Sequence, residues 1–176
     1  MDIPREIRHG EEFALETLKT YLSENNINAD DLSIKQFPSG YSNLTYFLKS
    51  PSHEFVLRRP PFGAKSLQGG HDMFREYNVL KNLKSQFSKV PDVYLYCDNN
   101  EIIGAPFYLM ERVEGYIIRP NLQQKDSPGK EVIQNVSQSL VSTLVELHNV
   151  DINQANLNEL GNINGYVKRQ VEGWIK

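Results

Sequence analysis

An arginine and a glutamate in the first half of the chain are placed so that they could bind phosphate together. Residues 53–59 read as a short strand, and side chains on a strand alternate between its two faces. Val56 and Arg58 therefore share one face. A small apolar side chain beside a cation suits a nucleotide, because Val56 can lie against a base while Arg58 reaches phosphate oxygens. Glu76 follows in the next predicted helix and is expected to hold Arg58 in place.

A turn of small residues lies between the first two predicted strands and contains Ser39, Gly40, Ser42 and Asn43. Small residues let backbone N–H groups approach a phosphate closely. A single glycine is also typical of an ordinary hairpin turn, and one arginine with one glutamate is also typical of an ordinary surface ion pair. Each of the two signals is therefore weak alone.

Hydrophobic periodicity indicates the elements that must position these residues. Alternation between turn signals predicts five strands, over residues 32–37, 43–49, 53–59, 93–97 and 106–113, the last two joined by a turn at residues 98–100. Helical spacing predicts four helices, over residues 11–26, from an N-cap at Asp72, from near Pro128 and from Val167. A strand-rich half thus gives way to an all-helical half near Gly115.

Composition excludes several function classes. The 176 residues carry a net charge of -3, which argues against a broad nucleic-acid or anionic-lipid surface. The single cysteine, Cys97, allows neither an internal disulfide nor a multi-cysteine zinc site. No apolar stretch approaches the roughly 20 residues of a membrane span, and no signal peptide is recognisable. We therefore predict a cytoplasmic protein without nucleic-acid or membrane partners.

Several motifs in this order match one known group of proteins. They are SGYSNLTY at residues 39–46, FVLRRPP at 55–61, REYNVL at 75–80, GAPFYLMERVEG at 104–115 and LVELH at 144–148. Together they resemble the protein-kinase-like superfamily, and within it the aminoglycoside phosphotransferase and choline kinase-like family. The resemblance is greatest to the kinase-like domain fused to some acyl-CoA dehydrogenases.

This resemblance implies an α+β fold. It consists of a protein-kinase-like N-lobe, a five-stranded antiparallel sheet with one packed helix, followed by the first helices of a helical C-lobe. The corresponding segments are an N-terminal helix at residues 1–30, the nucleotide-binding N-lobe at 31–115 and an incomplete C-lobe at 116–176.

The resemblance also implies the roles of single residues in binding ATP. Arg58 matches the cation of the kinase V-A-I-K strand, Val56 the residue that packs on adenine, and Glu76 the glutamate of the following helix. Arginine replaces the lysine of protein kinases, as in some small-molecule members of the group.

The segment at residues 110–113 is similar to the kinase hinge. Met110 would lie behind the adenine, while the Glu111 carbonyl and the Val113 N–H would contact the base. The family transfers the γ-phosphoryl group of ATP to a small-molecule hydroxyl with the help of Mg²⁺.

The catalytic half of such a site is not recognisable in these residues. The family supplies a carboxylate and metal ligands from an H-x-D-x-x-x-x-N loop and a later aspartate. His148, Asp151 and Asn156 imitate that loop loosely, but no aspartate follows Asp151, and in the family this stretch is an insert. We therefore expect no catalytic or metal-binding residue here, and no activity of the chain alone.

Two other interpretations stay open at this point. One is a non-catalytic kinase-like module that binds a partner, with or without nucleotide. The other is a truncated chain whose last helix, around Trp174, has an uncovered apolar face. Self-association through that helix is then expected.

Overall fold

The computed structural model describes residues 3–38, 42–64, 71–115, 117–118, 128–161 and 164–175. The helices are α1 (Leu15–Glu24), α2 (Met73–Leu83), α3 (Asn100–Ile103), α4 (Lys130–His148) and α5 (Tyr166–Trp174), with a 3-10 turn at Asn158–Leu160. The strands are β1 (Ser33–Gln36), β2 (Leu44–Lys49), β3 (Glu54–Arg59), β4 (Val93–Cys97) and β5 (Phe107–Glu111).

The five strands form one antiparallel sheet in the order β1-β2-β3-β5-β4. This confirms the predicted five-stranded sheet and the α+β fold. The central strand β3 pairs with both β2 and β5, and its register places Val56 opposite Met110 and Arg58 opposite Tyr108. Residues from three strands are thereby brought onto one face of the sheet around Arg58.

The link between β4 and β5 differs from the prediction of a plain turn. It contains the one-turn helix α3, whose N-cap Asn99 accepts the backbone N–H of Glu101 on Oδ1 at 2.9 Å. Gly104 ends the helix at φ 82, in the left-handed region that glycine adopts at little cost. Four residues are too short for helical periodicity, so the pattern could not show this helix.

The main hydrophobic core lies on one side of the sheet, here called the core face. Leu18 and Leu22 of α1 are fully buried there, one helical turn apart, and they belong to the same cluster as Leu57 and Leu109. Helix α2 lies on the opposite side, the cleft face, which carries Arg58 and Tyr108. The predicted sheet thus has a second packed helix, α1, in addition to α2.

Arg58 and Arg59 are neighbours in sequence with opposite environments. Arg59 is 1% exposed on the core side of β3, as strand alternation requires when Arg58 faces the cleft. Its guanidinium donates Nη1–H to the Ile103 carbonyl at 2.7 Å and Nε–H to the Pro60 carbonyl at 3.1 Å, and lies 3.7 Å from the Phe62 ring centroid. Burial lowers the pKa of Arg59.

The helical half presents its apolar side chains to solvent. The apolar side chains that recur at helical spacing along α4 are exposed, and Trp174 on α5 is 87% exposed; those on α4 are Val132, Val136, Leu140, Leu144 and Leu147. Lys89 joins this half to the sheet-bearing half by donating to Glu146 at 2.5 Å and to Thr143 at 3.3 Å. No helix in the described ranges is long and apolar enough to cross a membrane.

Replacing the buried arginine is predicted to destabilise the fold. Arg59→Ala removes a large buried side chain and leaves the Ile103 carbonyl without its donor, which should lower the free energy of unfolding by about 2–4 kcal/mol. Urea denaturation checks this. Arg8→Ala is the matched control, because Arg8 forms an exposed pair with Glu11. An unfolding midpoint of Arg59→Ala equal to that of Arg8→Ala contradicts the packing described.

Candidate functional site

Arg58 and Glu76 form an ion pair on the cleft face, as the sequence predicts. Nε of Arg58 lies 3.1 Å from Oε2 of Glu76, and Nη2 donates weakly to Oε1 at 3.5 Å. The Nε–H does not point at the carboxylate, so Nε is a buried donor with an ionic partner but no hydrogen bond in the described residues. The two side chains are 30% and 31% exposed. The pair therefore remains accessible to an anionic ligand.

Local sequence explains how Glu76 reaches Arg58. Asp72 is the N-cap of α2 and accepts the backbone N–H of Arg75 on its side chain at 2.9 Å, which fixes where the helix begins. Glu76 then lies one turn into the helix, on the side that faces β3 and β5.

Glu76 also binds two polar side chains that are not cations. Nδ2 of Asn43 donates to Oε1 at 2.7 Å, and the hydroxyl of Tyr108 donates to Oε2 at 3.0 Å. Asn43 immediately precedes β2, Arg58 lies on β3 and Tyr108 on β5, so the partners of the carboxylate come from two strands and from the start of a third. The acid is thereby held in one orientation.

The hydroxyl of Tyr108 keeps its proton and therefore remains a hydrogen-bond donor to Glu76. Burial, and secondly the neighbouring negative charge of Glu76, raise the pKa of Tyr108 above its ordinary value, while the positive charge of Arg58 partly opposes them. The phenol therefore stays protonated throughout the neutral pH range.

A cavity of about 500 Å³ opens beside the ion pair, between α2 and β5. Its polar end carries Arg58 and Glu76, and its apolar wall is formed by Val79, Leu80, Pro91 and Met110. This combination of an apolar wall and a cation is suited to a ligand with a hydrophobic ring and negative charge.

The residues predicted to contact adenine lie on β3 and at the end of β5 or just beyond it; they are Val56, Met110, Glu111 and Val113. Val56 is buried directly opposite Met110, and only Met110 lines the cavity. Glu111 ends β5, where its N–H donates to the Asp92 carbonyl at 2.8 Å. Val113 follows the strand and is exposed.

Arg112 attaches this predicted hinge to the sheet. It forms an ion pair with Glu54, and its guanidinium lies 4.5 Å from the ring centroid of Phe47, the cross-strand neighbour of Val56. Hydrogen bonding by Lys49, and further by Arg112, lowers the pKa of Glu54. This anchor was not predicted from the sequence.

The structure brings some of the predicted phosphate-binding turn to the site. Asn43 is 3% exposed and contacts Glu76, whereas Ser42 is exposed at the base of the turn. Ser39 and Gly40 lie outside the described residues, so their roles stay predictions.

Tyr108 could have been found from the sequence but was not. It precedes Met110 by two positions, so alternation along the strand places both on the same face. The contact of Asn43 with Glu76 joins residues 33 positions apart, and no local pattern indicates it.

Asp151, the loose match to a catalytic aspartate, has a structural role in its turn. Its Oδ1 accepts the backbone N–H groups of Asn153 at 2.8 Å and Gln154 at 3.2 Å. These bonds, that of Gln154 first, lower the pKa of Asp151. The geometry is that of a side chain that stabilises a local turn.

Comparison with known proteins agrees with this arrangement. A model of the phosphotransferase enzyme family matches residues 33–176. The chain belongs to this family. The resemblance inferred from the sequence motifs is therefore confirmed.

Relatives of this phosphotransferase-family chain include acyl-CoA dehydrogenases. Acyl-CoA dehydrogenase family member 11 of Rattus norvegicus is 39% identical over 184 residues, which include 100% of this chain and 23% of the relative. Acyl-CoA dehydrogenase family member 10 of Mus musculus is 34% identical over 82% of this chain and 13% of its own length. The chain thus spans about a fifth or less of these relatives.

A solved structure shares the fold. It is a Ralstonia eutropha protein assigned to the aminoglycoside phosphotransferases, with a TM-score of 0.75 and 26% sequence identity. The match covers 93% of this chain and 46% of that protein. The kinase-like fold inferred from the sequence is therefore confirmed.

Removing the Tyr108 hydroxyl is predicted to change both stability and its pH dependence. At pH 8, Tyr108→Phe should lower the free energy of unfolding by about 1–2 kcal/mol, because Glu76 loses a donor. Folding raises the pKa of Tyr108 above the value of about 10 that a tyrosine has in an unfolded chain. The contribution of Tyr108 to the free energy of unfolding is therefore complete below about pH 10 and is lost as the pH rises further. The variant should therefore lose less stability than the unmodified chain between pH 9 and pH 11.

Urea denaturation at several pH values measures both effects. Tyr166→Phe is the control, since Tyr166 is exposed on α5 and its curve should follow that of the unmodified chain. Parallel pH curves for Tyr108→Phe and the unmodified chain contradict the network described here.

Proposed function

We propose that this chain is the ATP-binding part of a small-molecule phosphotransferase. The observation that carries the proposal is the partly exposed Arg58–Glu76 pair at the polar end of an apolar-walled cavity. Membership of the phosphotransferase family supports it. When bound, ATP would supply a γ-phosphoryl group for transfer to a substrate hydroxyl.

The described residues fit the chemistry of ATP. The guanidinium of Arg58 is only partly covered, with 30% of the side chain exposed, so it can donate to phosphate oxygens. The turn with Ser39, Gly40, Ser42 and Asn43 would cover the phosphates with backbone N–H groups.

The adenine would lie against the sheet face that Val56 and Met110 share. The carbonyl of Glu111 and the N–H of Val113 would contact the base, since both follow Met110 at the end of β5. Arg112 would keep this segment against the sheet through Glu54. These residues bind and orient the nucleotide.

The described residues fit ATP better than they fit Mg²⁺. Within the described ranges, no group of three or more His, Cys, Asp or Glu is placed to hold a metal ion. We propose that the ligands of Mg²⁺ are not among these residues. The acceptor would be a small molecule with a hydroxyl group, and the acyl-CoA dehydrogenase names of the relatives favour a hydroxyacyl compound.

A cytoplasmic location, with Cys97 reduced, is part of the same proposal.

Binding of Mg·ATP is predicted to depend on Arg58. Saturating Mg·ATP should raise the melting temperature of the chain, because a ligand that binds the folded state stabilises it. Arg58→Ala should weaken the affinity about 10- to 100-fold, through the loss of charge-assisted bonds to phosphate. Melting curves at several nucleotide concentrations measure this, and they are preferable to the fluorescence of the exposed Trp174.

Arg8→Ala is the matched control, since it removes an exposed arginine that also pairs with a glutamate. It should bind Mg·ATP like the unmodified chain. No shift in the unmodified chain would instead favour a kinase-like module that binds a partner without nucleotide. Equal loss of affinity in both variants would show that Arg58 has no specific role.

The 176 residues alone are predicted not to transfer phosphate. Asp151 is held in a local turn, and no aspartate follows it in the sequence. An assay with radioactive ATP and a panel of small hydroxyl compounds should therefore detect no phosphorylated product. Product formation that is abolished by Asp151→Asn would contradict this prediction and identify Asp151 as catalytic.

A further inference from the structure

The side chain of Asn43 connects three parts of the candidate site. Its amide nitrogen lies 2.7 Å from Oε1 of Glu76, and its amide oxygen lies 2.8 Å from Nδ1 of His71. Asn43 follows the turn that precedes β2, and His71 immediately precedes the N-cap of α2. One amide group therefore joins the base of the first hairpin to both the start and the first turn of α2.

The chemistry of the partners determines the orientation of this amide. An ionised carboxylate only accepts hydrogen bonds, so the group that faces Glu76 must be the NH₂ of Asn43. The carbonyl oxygen then faces His71, and Nδ1 of His71 must carry the hydrogen of that contact. Because Asn43 is 3% exposed, water does not compete strongly for either bond.

Both polar ends of the Asn43 side chain are thus engaged inside the protein. Its amide does not point to a ligand, and only its backbone is suited to cover phosphates.

The hydrogen bond from Asn43 determines how Glu76 is held. Oε1 receives a short bond from Asn43 but only a 3.5 Å contact from Arg58, so Asn43 is the stronger described partner of that oxygen.

Without Asn43, the carboxylate of Glu76 would be held mainly through Oε2, by Tyr108 and by Nε of Arg58. Rotation of the carboxylate would then displace the charge that orients the guanidinium. Arg58 would keep its charge but lose its fixed direction, and part of the binding energy would be spent on ordering it.

We propose that Asn43 is a positioning residue whose amide, fixed by His71, holds Glu76 so that Glu76 directs Arg58 toward the phosphates of a nucleotide. This rests on the proposed function. The effect should be specific to phosphate, because Asn43 acts on Arg58 through Glu76, whereas its described side-chain partners, Glu76 and His71, are not among the residues proposed to contact adenine.

The test compares Mg·ATP with adenosine, which has the same base but no phosphate. NMR titration of the chain measures both affinities in the unmodified protein, Asn43→Ala and Asn82→Ala. Asn43→Ala should weaken Mg·ATP binding about tenfold and leave adenosine binding unchanged. Asn82→Ala is the control, since this α2 asparagine donates to the Asn156 carbonyl instead of to Glu76, and it should change neither affinity.

A double-mutant cycle with Arg58→Ala tests the route of the effect. If Asn43 acts through Glu76 and Arg58, Asn43→Ala should cause no further loss of Mg·ATP affinity in the Arg58→Ala background. If Asn43→Ala is too unstable to titrate, Asn43→Asp keeps the size of the side chain and replaces the donor with an oxygen. It should weaken Mg·ATP binding at least as much.

Three results overturn the inference. They are an equal loss of adenosine affinity, an undiminished effect of Asn43→Ala in the Arg58→Ala background, and Mg·ATP binding by Asn43→Ala and Asn43→Asp that equals the unmodified chain. Failure of the unmodified chain to bind Mg·ATP refutes the proposed function itself, and this inference with it. The outcomes are therefore distinguishable.

Discussion

The arrangement of the site depends on one carboxylate. Glu76 lies on α2, which packs on the cleft face, and it receives donors from the residue before β2, from β3 and from β5. A partly buried acid with one cation and two neutral donors is more strongly fixed than a simple surface pair. The same contacts attach α2 to the sheet, so the position of the helix and the orientation of Arg58 have a common cause.

The two faces of β3 show how one strand combines stability and binding. Leu57 and Arg59 face the core with α1, while Val56 and Arg58 face the cleft. Arg59 satisfies its donors with backbone carbonyls, which makes it a structural residue. Arg58 keeps 30% of its side chain exposed beside the cavity, which suits it to a ligand. Strand alternation alone separates these two identical residue types.

The fold and part of the site could be predicted from the sequence, because they depend on short-range patterns. Period-two alternation identified β3 and the face of Arg58, and the N-cap at Asp72 located the start of the helix with Glu76. The α3 helix was missed because four residues have no visible period. The contacts of Asn43 with Glu76 and His71 were missed because they join residues 33 and 28 positions apart, which only the folded sheet brings together. Ser39 and Gly40 remain predictions from the sequence.

Polar side chains link the sheet-bearing half to the helical half in the part of the chain that the structure describes. Lys89 contacts Glu146 and Thr143, Arg75 donates to the Leu160 carbonyl, and Asn82 donates to the Asn156 carbonyl. Exposed charge pairs are screened by salt, whereas the packed core beneath α1 is not. Raising ionic strength would thus loosen the attachment of α4 while the five strands keep their hydrogen bonding.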